Sequence, residues 1–404
     1  MGAWPDFAAK VPAIPDRSLY RFSSRRFECG NEVIFDTQRE MVAMMRLLAA
    51  VPVIIAVGAL AVGTAPSADA GTASAAVAAT LHGTWQKLPA APVKQVQGSM
   101  VSVWTGREMI IHGNATTFAY RPATRTWVRL ANGPGQPNLQ STDVAVWTGS
   151  RMLVIGLTNA SYDPITNTWR AIARPGMSMS GAVTGWTGRQ FLSWAGVCCE
   201  DFTNRGVAYN PVTNTWRDIL PAPLQARADA QGAWTGKELV VAGGATLLPK
   251  PETFRDAAAY NPATGKWRKL PNMPAALDEH GQALWDGREV LFLSSTSARG
   301  MAYNPATDRW RYLPAMPLPR RAFAALWTGH YVLVWGGLTG SYTKPLIPAH
   351  GEACNPVTNQ WTALPGAPVH GRGYPTAVWT GHQMIVWGGY TTTSYFDGAA
   401  FTPR

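Results

Sequence analysis

One short phrase recurs through the chain and restricts its fold more than any other feature. In its first copy it reads VWTGREMIIHG, an apolar strand, a Thr-Gly turn and a second apolar strand. The turn needs the positive φ that glycine supplies, so each copy predicts a tight β-hairpin. Seven copies are present, around Trp104, Trp147, Trp186, Trp234, Trp285, Trp327 and Trp379.

A second phrase alternates with the first and predicts a second hairpin. Its fullest form is AYNPVTNTW, in which Pro211 sets φ for the turn, Asn214 takes the left-handed position and Trp216 begins the next strand. Related copies end at Trp127, Trp169, Trp267, Trp310 and Trp361.

Two hairpins give four strands per unit, and the units recur every 39 to 52 residues between successive WTG tryptophans. Four short antiparallel strands at this period are typical of one blade of a β-propeller. We therefore predict an all-β chain, a seven-bladed β-propeller of four-stranded antiparallel blades. Fourteen of the 18 tryptophans fall at the two repeat positions, which predicts that they pack between blades.

The two ends of the repeat region complete one another. Trp85 has the outer-strand signature without a preceding hairpin, whereas Phe401 lies in a third strand that no Trp strand follows. We expect these two strands to pair in a mixed seventh blade, because pairing closes the ring and removes exposed edges.

The double glycines Gly243-Gly244, Gly336-Gly337 and Gly388-Gly389, together with the recurring Tyr-Asn-Pro hairpin and Trp, resemble the kelch repeat, and the blade count resembles the central domain of galactose oxidase. The likeness covers residues 81–404. The other four units lack the double glycine. The pairs that the sequence places at its position are Gly113-Asn114, Gly156-Leu157, Gly196-Val197 and Ser294-Ser295. The resemblance implies a fold more strongly than a function, because propellers host many unrelated activities.

An export signal precedes the repeats. Residues 41–70 contain Arg46, an apolar run from Leu47 to about Ala65, and a small-residue site ending at Ala70. We interpret them as a cleavable signal peptide of a secreted or extracytoplasmic protein, with residues 1–40 as an overcalled, disordered extension and 71–80 as a linker. The alternative is an uncleaved membrane anchor.

Charge restricts the partners. The net charge is +11, and it stays at +11 without residues 1–70, which carry seven basic and seven acidic side chains. Such a balance favours anionic partners, although scattered basic residues also serve solubility. The sequence contains no block of Lys and Arg of the kind that indicates nucleic-acid binding. We expect a monomer that is attached to a membrane only if the signal peptide, residues 41–70, is not cleaved.

The strand order places the Thr-Gly and Pro-x-Thr-Asn turns on one face, here the turn face, and the connections of variable length on the other, the loop face. Variable loops on a rigid scaffold commonly carry binding sites. The residue seven before each WTG tryptophan should begin an innermost strand beside the channel. These residues are Gln97, Gln140, Met179, Arg227, Asp278, Arg320 and Arg372.

Three arginines at one channel entrance suit carboxylate, sulfate or phosphate groups. We take as candidate ligand-binding residues Arg227, Asp229, Asp278, Glu279, His280, Arg320, Arg321, Arg372 and Tyr374. The alternative is that each arginine pairs with an acidic residue of the next blade.

Cofactor chemistry finds little support in the sequence. The copper site that galactose oxidase implies needs two His and two Tyr, and no His or Cys pair lies at converging repeat positions. His350, Glu352 and Cys354 alternate along one strand, which suits tetrahedral geometry poorly, and Cys354 replaces the tyrosine of the repeat as a core residue. We predict no metal and no cofactor. Cys198 and Cys199 are a possible vicinal disulfide.

We therefore expect an exported binding module for an anionic glycan or a surface protein. The alternative is a sugar-acting enzyme on the same scaffold, of the copper-oxidase type or resembling sialate mutarotases, in which Glu279 or His280 would move a proton. That mutarotase family resembles six blades rather than seven.

Overall fold

A computed structural model describes residues 80–93, 100–135, 143–198, 201–246, 251–277, 281–295, 299–340, 345–348 and 350–404. All of them belong to one compact unit. The regular elements within these ranges are all strands, so no helix there is long and apolar enough to cross a membrane. The predicted extension, signal peptide and linker, residues 1–40, 41–70 and 71–80, lie outside these ranges except for Thr80.

The strands form seven four-stranded antiparallel sheets, as predicted. Blade 1 consists of β2 (Val101–Trp104), β3 (Met109–Gly113), β4 (Thr116–Arg121) and β5 (Thr126–Arg129). Blade 2 consists of β6 (Val144–Trp147), β7 (Met152–Ile155), β8 (Ala160–Asp163) and β9 (Thr168–Ala171). Blade 3 consists of β10 (Val183–Trp186), β11 (Phe191–Trp194), β14 (Gly206–Asn210) and β15 (Thr215–Ile219).

The next three blades repeat this order. Blade 4 consists of β16 (Gln231–Trp234), β17 (Leu239–Ala242), β20 (Ala257–Asn261) and β21 (Lys266–Leu270). Blade 5 consists of β22 (Gln282–Trp285), β23 (Val290–Leu293), β24 (Arg299–Asn304) and β25 (Arg309–Ala315). Blade 6 consists of β26 (Arg321–Trp327), β27 (Val332–Gly340), β29 (Glu352–Asn355) and β30 (Gln360–Ala363).

Blade 7 combines both ends of the repeat region. It consists of β31 (Thr376–Trp379), β32 (Met384–Trp387), β33 (Gly398–Pro403) and β1 (Gly83–Lys87). The tail strand β33 lies between β32 and β1, and Trp85 pairs directly with Phe401. The predicted closure is confirmed.

Short ribbons extend the connections on the loop face. In blades 3 and 4 they are β12 (Val197–Cys198) with β13 (Asp201–Phe202), and β18 (Ala245–Thr246) with β19 (Glu252–Thr253). In blade 6, β28 (Pro345–Leu346) pairs with the end of β27. The variable segments of the sequence are therefore partly ordered by their own strand pairs.

Turn chemistry explains why the same hairpins form in every blade. The glycine of each WTG or WDG phrase has a positive φ, from 87° to 99°. In the other hairpin, the left-handed position is occupied by Arg125, Asn167, Asn214, Gly265, Asp308 and Asn359. In blade 3 the left-handed pair that replaces the double glycine is Ala195-Gly196 rather than Gly196-Val197, because β11 ends one residue earlier than the sequence suggested.

The hydrophobic core lies between blades. Each of seven clusters of buried residues joins two neighbouring blades, and all fourteen repeat tryptophans pack against one of them. Each outer tryptophan also donates its indole N–H to a carbonyl oxygen of the preceding blade, at 2.7–3.1 Å. The pairs are Trp85–Pro365, Trp127–Pro89, Trp169–Ala131, Trp216–Ala173, Trp267–Leu220, Trp310–Pro271 and Trp361–Pro314.

Candidate functional site at the channel entrance

The three arginines predicted at the channel entrance are buried. Arg227 and Arg320 are 0% exposed and Arg372 is 1% exposed. Each donates its Nε to the carbonyl oxygen two residues earlier, in Gln225, Leu318 and His370. Each also donates Nη1 to the first glycine carbonyl of the double glycine, in Gly243, Gly336 and Gly388.

An acidic residue of the same blade faces each guanidinium group. Arg227 binds both carboxylate oxygens of Asp256, and Arg372 lies 2.7 Å from Asp397 Oδ1. Arg320 lies 3.1 Å from Glu352 Oε1. The sequence had suggested that each arginine pairs with an acidic residue of the next blade. In the structure, the acidic partner of each arginine belongs to its own blade.

Aromatic rings cover two of these guanidinium groups. The guanidinium carbon of Arg227 lies 4.0 Å from the centre of the Phe254 ring, and that of Arg372 lies 4.1 Å from the Tyr395 ring. In blade 6, burial raises the pKa of Glu352 and lowers the pKa of Arg320, each against the attraction of the other. All three arginines are therefore enclosed by their own blade.

The residue two positions after each of these arginines has an unusual backbone. Asp229, Ala322 and Tyr374 have φ of 56°, 55° and 54°, and Gly181 in blade 3 has 63°. The Asp229 N–H donates to the Gly181 carbonyl oxygen at 2.8 Å, and the Tyr374 N–H donates to the Ala322 oxygen at 2.7 Å. These bonds join neighbouring blades where the innermost strands begin.

An aromatic stack lies at this position in blade 7. The rings of Tyr374 and Tyr390 are 4.7 Å apart and within 4° of parallel, and Tyr374 is 49% exposed. Burial, with the adjacent Tyr374, raises the pKa of Tyr390 to about 12, so its hydroxyl stays protonated near neutral pH. Arg321 precedes Ala322, is half-buried and donates Nη1 to the Gly340 carbonyl oxygen at 2.9 Å.

The structure brings Arg321 and Tyr374 to one part of the loop face, through the contact between Ala322 and Tyr374. Asp229 lies at the equivalent position in blade 4. Met179 is buried in the core between blades 2 and 3. Five predicted residues lie outside the described ranges: Gln97, Gln140, Asp278, Glu279 and His280.

Tyr390 and the left-handed backbone of Ala322 were not among the predicted features of the site. Tyr390 begins a variable loop after a double glycine, and only the register of that loop places it against Tyr374. Ala322 gives no sequence signal for a left-handed conformation, because that conformation is common for glycine and rare for alanine. Alignment of the units could have indicated the left-handed backbone of Ala322, since Gly181 occupies the equivalent position in blade 3.

Among the described residues, Cys354 is the cysteine whose side chain has a defined environment. Cys354 is buried in the core between blades 5 and 6, as expected, and burial raises the pKa of its thiol to about 12. The Cys198–Cys199 pair lies outside the residues whose side chains are described. Within the described ranges, no three His, Cys, Asp or Glu side chains form a group that could hold a metal ion.

Seven blades closed by both ends of the repeat region define a β-propeller, a scaffold that commonly acts as an interaction module. A comparison with sequence profiles of known protein families found no match, and a comparison with curated proteins found none either. The kelch resemblance therefore stays a prediction from the repeated residues.

Proposed function

We propose that this propeller is an exported binding module, and that its loop face binds a glycan carrying acidic groups. The exposed Tyr374–Tyr390 stack carries the proposal. A flat aromatic surface held by a rigid neighbour can pack against a sugar ring with little loss of side-chain freedom.

Charge near the stack supports an acidic ligand. Arg321 lies one residue before Ala322, whose carbonyl oxygen accepts the Tyr374 N–H. A half-buried arginine on the same part of the loop face suits a carboxylate or sulfate on the sugar. Arg227, Arg320 and Arg372 would act indirectly, by fixing the segments that carry Asp229, Ala322 and Tyr374.

The backbone conformation is a second support. Left-handed non-glycine residues cost about 1 to 2 kcal/mol each and often cluster at binding sites. Asp229, Ala322 and Tyr374 share this conformation at equivalent positions of three blades. Their conformation is consistent with a surface that is held in place for recognition rather than for stability alone.

Export rests on the sequence of residues 41–70, which lie outside the described ranges. A basic protein outside the cytoplasm meets acidic polysaccharides as abundant anionic partners. The mutarotase alternative depends on Glu279 and His280, also outside these ranges, and no contact of the described residues favours it.

A glycan array with the full chain tests the proposal. We expect saturable binding to sialylated, uronic or sulfated glycans, and a loss of about two- to tenfold in affinity for Tyr374→Ala, the range expected for one aromatic contact. Tyr312→Ala is the matched control, because Tyr312 is a 43% exposed tyrosine of the outer strand β25.

Equal effects of Tyr374→Ala and Tyr312→Ala would contradict the assignment. Absence of glycan binding, with Tyr374-dependent capture of a surface protein instead, would replace the glycan by a protein ligand at the same site.

A further inference from the structure

A cleft of about 1070 Å³ opens on the turn face between blades 2 and 3. Its walls come from both turns of blade 2 and from the corresponding turns of blade 3. Three arginines line it, Arg151 and Arg170 from blade 2 and Arg189 from blade 3, with Asp163 as the acidic residue among the lining groups.

Blades 4 and 5 show how this region is neutralised elsewhere in the ring. In blade 4, Arg268 follows the outer tryptophan and binds Glu238, which lies four residues after the WTG tryptophan. In blade 5, Arg311 binds Glu289 in the same way, at 2.6 Å. These arginines also reach the next blade, through Asp308 and Asn359.

Blade 2 breaks this pattern by a reversal of charge. Arg170 keeps the position of Arg268, but Arg151 occupies the position of Glu238. Arg151 is 3.2 Å from Asp163, whose carboxylate also accepts the backbone N–H groups of Ile165 and Thr166. Among the described residues, the guanidinium groups of Arg170 and Arg189 have no hydrogen-bond partner.

The lining charge is therefore +2, from three arginines and one aspartate. The rim is apolar: Ile165 is 89% exposed and Val212 is 91% exposed, and half-buried Trp186 forms part of the wall. Unpaired cations beside exposed apolar groups suit an organic molecule with an anionic end better than a bare ion.

We propose that this cleft binds a small organic molecule carrying a phosphate or sulfate ester. The guanidinium forks of Arg170 and Arg189 match the oxygens of a tetrahedral oxyanion, and Ile165, Val212 and Trp186 contact the organic part. The site is on the opposite face from the proposed glycan site and does not depend on it.

Calorimetric titration of the full chain with phenyl phosphate and phenyl sulfate, at constant ionic strength, tests this proposal. We expect saturable binding of at least one ester, weakened about tenfold or more in Arg170→Gln and in Arg189→Gln. Arg129→Gln is the matched control, because Arg129 is an exposed outer-strand arginine that does not line the cleft.

The two esters distinguish phosphate from sulfate as the natural group. Inorganic phosphate and phenol separate the anionic contribution from the apolar one. No saturable binding of either ester, or equal weakening in Arg129→Gln, would overturn the proposal. Unchanged ester binding in Tyr374→Ala is expected, since that residue belongs to the loop face.

A third variant tests the site without altering Arg170 or Arg189, so its result does not depend on whether substitutions of those two residues impair folding. Arg151→Glu restores the acid that blade 4 has at this position, so Arg170 gains the partner that Arg268 has. We expect loss of the melting-temperature increase that phenyl phosphate or phenyl sulfate causes in the unaltered protein, because the lining of the cleft loses its net positive charge and Arg170 is paired. A variant that keeps this ester-dependent increase would refute the assignment of the site.

Discussion

At the scale of single residues, burial of the side chains decides between the two roles that the sequence leaves open for Arg227, Arg320 and Arg372, which are ligand contact and structural pairing. The positions of Arg227, Arg320 and Arg372 before innermost strands were predicted. Their burial was not, because the acids that face them follow at separations of 29, 32 and 25 residues, across loops of unequal length. Without a constant spacing, the sequence gives no signal that joins each arginine to its acid.

His112 shows how one buried polar residue makes stability depend on pH. Its Nε2 donates to the Pro134 carbonyl oxygen, its Nδ1 accepts from the Thr117 hydroxyl, and its ring packs on Trp169 of blade 2. Burial lowers the pKa of His112, with only partial opposition from the Pro134 bond. The unfolded chain therefore binds a proton at a higher pH than the folded protein does.

We expect the contribution of His112 to be complete above the unfolded pKa of about 6.5 and to decline as pH falls below that value. The slope is at most about 1.4 kcal/mol per pH unit, the limit for one proton. Urea unfolding between pH 5 and 8 measures it. His112→Gln should flatten this part of the profile, whereas His330→Gln, at an exposed turn, should not. Identical profiles in all three proteins would contradict the assignment.

At the scale of elements, the outer strand of each blade is held by one indole hydrogen bond to its neighbour. The sequence predicted that these tryptophans pack between blades, because they recur with the strand. It did not predict the carbonyl acceptors, of which six lie in the segment just after the preceding outer strand and one, Pro314, lies inside β25. Hydrogen bonds to such segments depend on how blades stack and leave no pattern in residue type.

Trp127→Phe tests the contribution of this hydrogen bond. The variant keeps an aromatic ring in the cluster between blades 7 and 1 but leaves the Pro89 carbonyl oxygen without its donor. We expect a loss of about 1 kcal/mol in the free energy of unfolding beyond that of Trp104→Phe. Trp104 borders the same cluster, and its indole N–H has no acceptor among the described residues. Equal losses would show that only packing matters.

At the scale of the whole molecule, the fold was predictable because local turn chemistry and global closure agree. Seven Thr-Gly or Asp-Gly hairpins determine the number of sheets, six hairpins of the second kind complete six blades, and the two incomplete units determine how the ring closes. The proposed sites were less predictable because they lie where the repeat fails: in a variable loop at Tyr390, and in the charge reversal at Arg151.

Thr84 and Thr402 are directly opposed in β1 and β33, so a cross-link between them tests the closure. The double variant Thr84→Cys with Thr402→Cys should form a disulfide, since opposed antiparallel residues have suitable Cα separations. Closing so long a loop should stabilise the oxidised form by up to about 5 kcal/mol over the reduced form, measured by urea unfolding.

The off-register pair Gln86→Cys with Thr402→Cys is the control, because Gln86 faces Ala400 instead. Peptide mapping that finds equal cross-linking in both double variants would contradict the register.

The position of β33 between β32 and β1 also orders events during biosynthesis. Strand β1, the first strand of the described residues, has no neighbour in its sheet until β33 has been translated. The ring can therefore seal only after the ribosome has finished residues 398–403, and a polypeptide that stops before residue 398 leaves β1 and β32 available to other chains.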